Sequence, residues 1–167
     1  MKTQAIALTA LIAAVYAAMT FFLPIPQHGA IQVRLADSLS FLPMFLGPVG
    51  VAGLSLGCLV ANVFSPYGVA DMALGTLATV VASVAVWGIG LKTSDNHIKR
   101  NLVVAGIAAS LSNAIIVGFL LTLYEVPYEF GFVSVLAGEI VATVLIGYPL
   151  AIGCKKVLPQ VMRKLKR

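Results

Sequence analysis

Charge is what this sequence has least of. Asp, Glu, Lys and Arg together make up 10% of the 167 residues, against about a quarter in a soluble domain. So few ionisable side chains cannot wet the surface of a folded chain. A water-soluble enzyme and a freely diffusing nucleic-acid binder are therefore excluded, despite a net charge of +5. Cysteine is nearly as scarce. Cys58 and Cys154 lie in apolar runs far apart, in no CxxC and no Cys/His cluster, which argues against zinc and redox chemistry. Both read as small buried hydrophobes. The two histidines, His28 and His97, fall in loops expected on opposite sides and cannot act together. The sequence has no GxxxxGK[ST] phosphate cradle and no HExxH zinc pair. No catalytic constellation is visible, and neither a metal nor a cofactor is expected in the chain itself.

Apolar residues fill the space that charge leaves. They make up 60% of the sequence, and the mean hydropathy is +1.01. At about 20 residues per spanning helix, the length suits six spans with short loops, and six apolar runs are present. They are Ala5–Leu23, Leu35–Leu46, Val49–Phe64, Val69–Leu91, Leu102–Tyr124 and Phe130–Cys154. Breaks separate them at Pro24-Ile25-Pro26, Gly47-Pro48, Ser65-Pro66-Tyr67-Gly68 and Lys92-Thr93-Ser94-Asp95. The second run is short and carries Pro43, so it is expected to be tilted, extended by loop residues or re-entrant. The first run could serve as a signal peptide, but its apolar length exceeds a typical h-region and it is read as a helix. No convincing internal repeat is present, which argues against an inverted-repeat transporter. The expectation is one all-α transmembrane domain, a six-helix bundle over residues 1–167.

Basic residues orient it. With the amino terminus inside, the inner segments hold ten of the eleven Lys and Arg residues, and Arg34 alone lies outside. This is the cytoplasmic Lys/Arg excess of the positive-inside rule. Both termini are then cytoplasmic. The basic tail, residues 155–167, mixes Lys and Arg with Val157, Leu158, Val161, Met162 and Leu165. It reads as an anchor at the anionic inner leaflet rather than as a nucleic-acid site.

Polar groups are costly in hydrocarbon unless a partner, water or a ligand answers them, so their depth matters more than their number. On this topology Arg34 and Asp37 open the second run, Asn62 ends the third, and Asp71 opens the fourth. Asn113 and Glu139 lie roughly 15 Å below the outer ends of the fifth and sixth, at helical rise. All six gather in the outer half. Each also has a structural explanation. Arg34 and Asp37 could pair at i,i+3, Asn62 and Asp71 could brace the Ser65–Gly68 turn, and Asn113 could join helices. Glu139 has no cation in its own helix and needs a neighbour's donor, a proton or a ligand. Aromatics crowd the same end, among them Phe64, Tyr67, Tyr124, Tyr128 and Phe130. Interfacial belts account for most of these. Acids and amides beneath aromatic rings would also suit a small, flat, polar ligand, with Glu139 accepting two hydrogen bonds from a guanine-like edge. The first helix carries Ala10, Ala14 and Ala18 at i,i+4, a stripe that permits close helix approach or simply packs internally.

The chain resembles the substrate-binding S components of energy-coupling factor (ECF) transporters, and most closely the QueT family, over essentially its full length. The residues that carry the resemblance are Val33-Arg34-Leu35-Ala36-Asp37, Gly57-Cys58-Leu59-Val60-Ala61-Asn62 with Ser65-Pro66, Asp71 with Gly75-Thr76-Leu77-Ala78-Thr79, and Ser112-Asn113-Ala114-Ile115-Ile116-Val117-Gly118. The resemblance implies a multi-pass protein of a prokaryotic cell membrane. It implies a cargo among the queuosine precursors, 7-deazaguanines such as preQ1, preQ0 or queuine. The partners it implies are a transmembrane coupling protein, contacted through the family's AxxxA motif at Ala10 and Ala14, and two ABC ATPases, which would bind the ATP. The missing phosphate cradle then has an explanation. In that setting Glu139, with Asp71 second, is expected to receive the ring N–H and exocyclic amine. Asp37 or Asp71 would face an aminomethyl cation, with Arg34 lining the same site. Asn62 and Asn113 would read the carbonyl and ring nitrogens, while Tyr67 or Tyr128 would stack on the base. The alternative is a stand-alone proton-coupled secondary transporter of a small polar metabolite.

Overall fold

The computed structural model describes residues 2–22 and 32–166. The Pro24-Ile25-Pro26 break and His28 lie outside the described residues. Helix is the regular secondary structure of those described, with no strand among them. The elements are α1 (Lys2–Phe22), α2 (Leu35–Leu46), α3 (Pro48–Asn62), α4 (Gly68–Leu91), α5 (Asp95–Thr122), α6 (Tyr128–Cys154) and α7 (Leu158–Lys166).

Four of the six expected spans are long and apolar enough to cross a membrane: 20 residues of α1 (Thr3–Phe22), 24 of α4, 28 of α5 and 27 of α6. At 1.5 Å per residue the shortest reaches about 30 Å, the thickness of a bilayer's hydrocarbon core. The second and third, α2 and α3, are shorter apolar helices. α2 starts as a 3-10 turn over Leu35–Leu39 and becomes α-helical at Leu42–Leu46, where Pro43 occupies the first turn. There its missing N–H costs nothing. At the Gly47 break φ is +58°, a left-handed conformation that glycine adopts freely, and Pro48 restarts the chain as α3. The structure begins the fifth helix at Asp95 instead of Leu102 and ends the third at Asn62 instead of Phe64. The polar stretch before Leu102 opens as a 3-10 turn at Asp95–His97 and runs on as α-helix from Ile98. The tail, expected only as an anchor, is partly a helix of its own.

Two helices widen. Asp71–Gly75 in α4 and Ile140–Ile146 in α6 are π-helical turns. The second is followed by Pro149, which has no N–H for the carbonyl of Leu145. Such turns insert one residue into an α-helix and often sit at functional sites.

Inside a bilayer, lipid is as apolar as a protein core, so close packing and polar bonds hold the helices together rather than escape from water. α1 lies along α3, and α5 along α4 and α6. The α1–α3 contact depends on missing side chains. A Cβ on Gly57 would stand 2.7 Å from Tyr16 Cβ and 2.9 Å from the Ala13 carbonyl oxygen, and one on Gly53 would stand 2.7 Å from Ile12 Cβ. Between α5 and α6, Ser110 and Thr143 share a hydrogen bond of 2.9 Å. Leu46, Leu54, Cys58 and Tyr16 centre one core, and Leu120, Leu121 and Val135 another. The outer surface is studded with exposed Leu, Ile, Val and Phe, as lipid contact requires.

Candidate functional site

Arg34, Asp37, Asn62, Asp71, Asn113 and Glu139, taken from five helices and the segment before α2, are all buried. Bonds or charge contacts link them. Arg34 Nη2 donates to Asn62 Oδ1 at 2.8 Å and stands 4.0 Å from Asp71 Oδ2. Asn62 Nδ2 donates to the Asp71 carbonyl at 2.9 Å. Ser65 Oγ donates to Asp71 Oδ2 at 2.5 Å, and accepts from the Tyr67 backbone N–H at 3.2 Å. Asp37 Oδ1 accepts from the Tyr16 hydroxyl at 2.6 Å. Glu139 lies within hydrogen-bonding reach of both Asp37 and Asn113 and within charge–charge reach of Arg34.

Several of the structural explanations hold for particular atoms. Asn62 and Asp71 do brace the Ser65 turn. Arg34 and Asp37, three residues apart, turn to different partners on α3 and α1. Asn113 meets Glu139 across the α5–α6 contact. Yet these bonds do not use up the cluster. Glu139 Oε2, Asn113 Oδ1 and Arg34 Nε are buried with no hydrogen-bond partner among the described residues. A buried polar atom left unpaired costs about 1–3 kcal/mol, which three such atoms in one place multiply. Three carboxyl groups also surround one guanidinium. Two carboxyl groups within hydrogen-bonding reach, as Asp37 and Glu139 are, can bond only if one of them holds a proton. Around Glu139 and Asn113 the arrangement is short of positive charge and of donors, while Arg34 Nε is a donor that lacks an acceptor. A cation, or a molecule edge rich in N–H groups, supplies both.

The π-helical turns help to build it. Asp71 opens one and Glu139 immediately precedes the other. Gly75 closes the first, and a Cβ there would stand 2.6 Å from Asn62 Nδ2. The bare backbone is what lets the amide reach across.

The aromatic candidates separate. Tyr67 sits over the Ser65 turn with its ring 4.5 Å from that of Tyr124, whose hydroxyl donates to the Tyr67 carbonyl at 2.6 Å. Burial, and then the charge of Asp71, push its phenol above the ordinary value, so it remains a neutral donor at physiological pH. Tyr128 opens α6, about 16 Å of helix above Glu139. It is partly exposed, and its ring packs 6.0 Å from Phe132. The structure does not bring it to the cluster.

Three members escaped the sequence reading. Tyr16 is wholly buried in the middle of α1; as the one hydroxyl between Val15 and Ala17, it carried a signal that depth alone could have raised. Ser65 read only as a turn residue. Cys58 is buried but is not the inert hydrophobe expected. Its sulfur accepts from Asn62 Nδ2 at 3.4 Å and Arg34 Nη1 at 3.7 Å and contacts the Gly75 carbonyl at 3.6 Å. Cys154 is half-buried.

Ala10 and Ala14 lie on the exposed face of α1 together with Ala18, while Ala17 is buried and Ala13 packs toward α3. The i,i+4 stripe is thus open to lipid or to another protein and does not pack internally.

A family model described as QueT transporter matches residues 6–156. No curated protein and no solved structure matches.

Proposed function

Because the chain belongs to the QueT transporter family, we propose that it is the substrate-binding S component of an ECF-type importer, capturing a queuosine precursor of the 7-deazaguanine class from outside the cell. In this reading it spans a prokaryotic cell membrane six times with both termini cytoplasmic, α2 and α3 serving as short or tilted spans. It is no enzyme. ATP is hydrolysed by two partner ABC ATPases, reached through a transmembrane coupling protein that docks on the Ala10 and Ala14 face. The deazaguanine N1–H and exocyclic amine lie on Glu139. An aminomethyl cation offsets the excess acid of Asp37 and Asp71, and Asn62, Asn113 and Arg34 answer the carbonyl and ring nitrogens. Tyr67 covers the base, and Tyr128 reaches it only if the outer end of α6 folds inward.

One observation supports this most: three buried carboxyl groups share a single guanidinium, with Glu139 Oε2 and Asn113 Oδ1 left unpaired beside them. That is a site wanting donors and positive charge, which an aminomethyl deazaguanine carries on one small ring system. The test is calorimetric titration of detergent-purified protein with guanine, preQ0, preQ1, queuine, riboflavin and thiamine. The expected result is saturable binding of a deazaguanine and none of riboflavin or thiamine. Absence of any deazaguanine binding would sink the reading.

The second reading, a proton-coupled secondary transporter, draws on the closeness of Asp37 and Glu139, a buried pair of carboxyls at which a coupling proton would be carried. Uptake into vesicles by the purified chain alone, driven by a proton gradient, would establish it instead.

A further inference from the structure

At the opposite end from the polar cluster, the tail helix α7 folds back over the bundle. A turn closed by the Val157 N–H on the Cys154 carbonyl (3.0 Å) redirects the chain after α6. Leu158 then packs on the core that contains Leu42, and α7 lies against Leu42–Leu46. Between α7 and the start of α5 a cleft of about 430 Å³ remains, lined by Asp95, Ile98, Lys155, Lys156, Gln160 and Arg163 among others. A smaller cavity of about 150 Å³ shares Asp95, Ile98 and Lys155 with it and adds Met44 and Phe45. Three cations line the larger space, and Met44, Phe45 and Ile98 give the smaller one an apolar wall beside Thr93 and Asp95.

Topology alone explains why Lys and Arg collect at this end. It does not explain a cleft with three cations on its walls that adjoins a second space reaching Met44 and Phe45. Asp95 is the one acid in the lining. It stands in the first turn of α5, where a carboxylate favours the helix dipole. The lining stays net positive.

We propose that this cleft is a binding site for the phosphate headgroup of an anionic phospholipid from the leaflet that α7 lies on. Lys155, Lys156 and Arg163 hold the phosphate, Gln160 donates to the glycerol oxygens, and the first acyl carbons lie against Met44 and Phe45. Basic pockets at the membrane surface between helices take such headgroups, each Lys or Arg contributing on the order of 1 kcal/mol. Anionic lipid therefore pins α7 across the mouth of the bundle rather than merely attracting it to the surface.

The experiment is native mass spectrometry of the full-length protein, released from nanodiscs of mixed phosphatidylglycerol, phosphatidylethanolamine and phosphatidylcholine. Selective retention of phosphatidylglycerol is expected. The double variant Lys155→Gln/Arg163→Gln should retain it about twenty-fivefold less, at about fivefold per cation. Lys99→Gln/Arg100→Gln, which removes as much charge from exposed side chains at the same end, should leave retention unchanged. Asp95→Asn should raise it. Equal losses in the two double variants would reduce the effect to diffuse surface charge and overturn the site. Preference for phosphatidylethanolamine would overturn the anionic class. Displacement of the lipid by excess inorganic phosphate would assign the cations to a free anion instead.

Discussion

Glu139 is 6% exposed in a helix that offers it no cation, and its neighbours supply only part of what a carboxyl group needs. Asn113 and Asp37 reach it; Oε2 has no hydrogen-bond partner among the described residues. Glu139→Gln keeps the volume and the capacity to bond to both neighbours, so the bundle should stay folded. Deazaguanine affinity should nevertheless fall severalfold or more, because hydrogen bonds to a charged group contribute about 1.5–3 kcal/mol. Titration calorimetry together with a thermal unfolding curve separates the two effects, and equal affinity in the variant would remove Glu139 from recognition. At this scale the sequence was legible wherever charge met hydrocarbon. Arg34, Asp37, Asp71 and Glu139 stand out because each is costly where it lies. Tyr16 and Cys58 did not, since a tyrosine or cysteine in an apolar run is ordinary, and only the fold turns their polar atoms toward Asp37 and Asn62.

Elements were legible by length and by punctuation. Gly47-Pro48 and Ser65-Pro66 mark real ends, because backbone chemistry at Gly and Pro is local. The π-helical turns at Asp71–Gly75 and Ile140–Ile146 were not, since a widened turn arises from packing and from competition for backbone carbonyls that no spacing reports. The closeness of α1 and α3 was half legible: Gly53 and Gly57 are small-residue signals, but their partner had to be found in the structure. Gly57→Ala should cost about 1–3 kcal/mol by overpacking, because the new methyl meets Tyr16 and the Ala13 backbone. Gly88→Ala meets nothing within 4 Å and should be nearly neutral. Thermal unfolding of both variants in the same detergent checks the contrast; equal behaviour would mean that α1 and α3 are not held at this distance.

For the whole molecule, the informative fact is that α1 is built with two unlike faces. One presents Ala10 and Ala14 to the outside of the bundle, and the other buries Tyr16 against Asp37. If the chain is the proposed S component, Ala10→Leu/Ala14→Leu should therefore leave ligand titrations unchanged while abolishing ATP-driven uptake in cells that also express the proposed coupling protein and ATPases. Uptake that survives the bulky pair would dismiss this face as the docking surface. The two faces are separated only by the thickness of a single helix, about 10 Å. They form opposite sides of one partition, with the bilayer or a partner on one side and the cluster of acids on the other. Anything that rolls α1 to reseat its alanines must also drag the Tyr16 hydroxyl across Asp37, so the outer wall of this protein is at the same time part of its innermost lining.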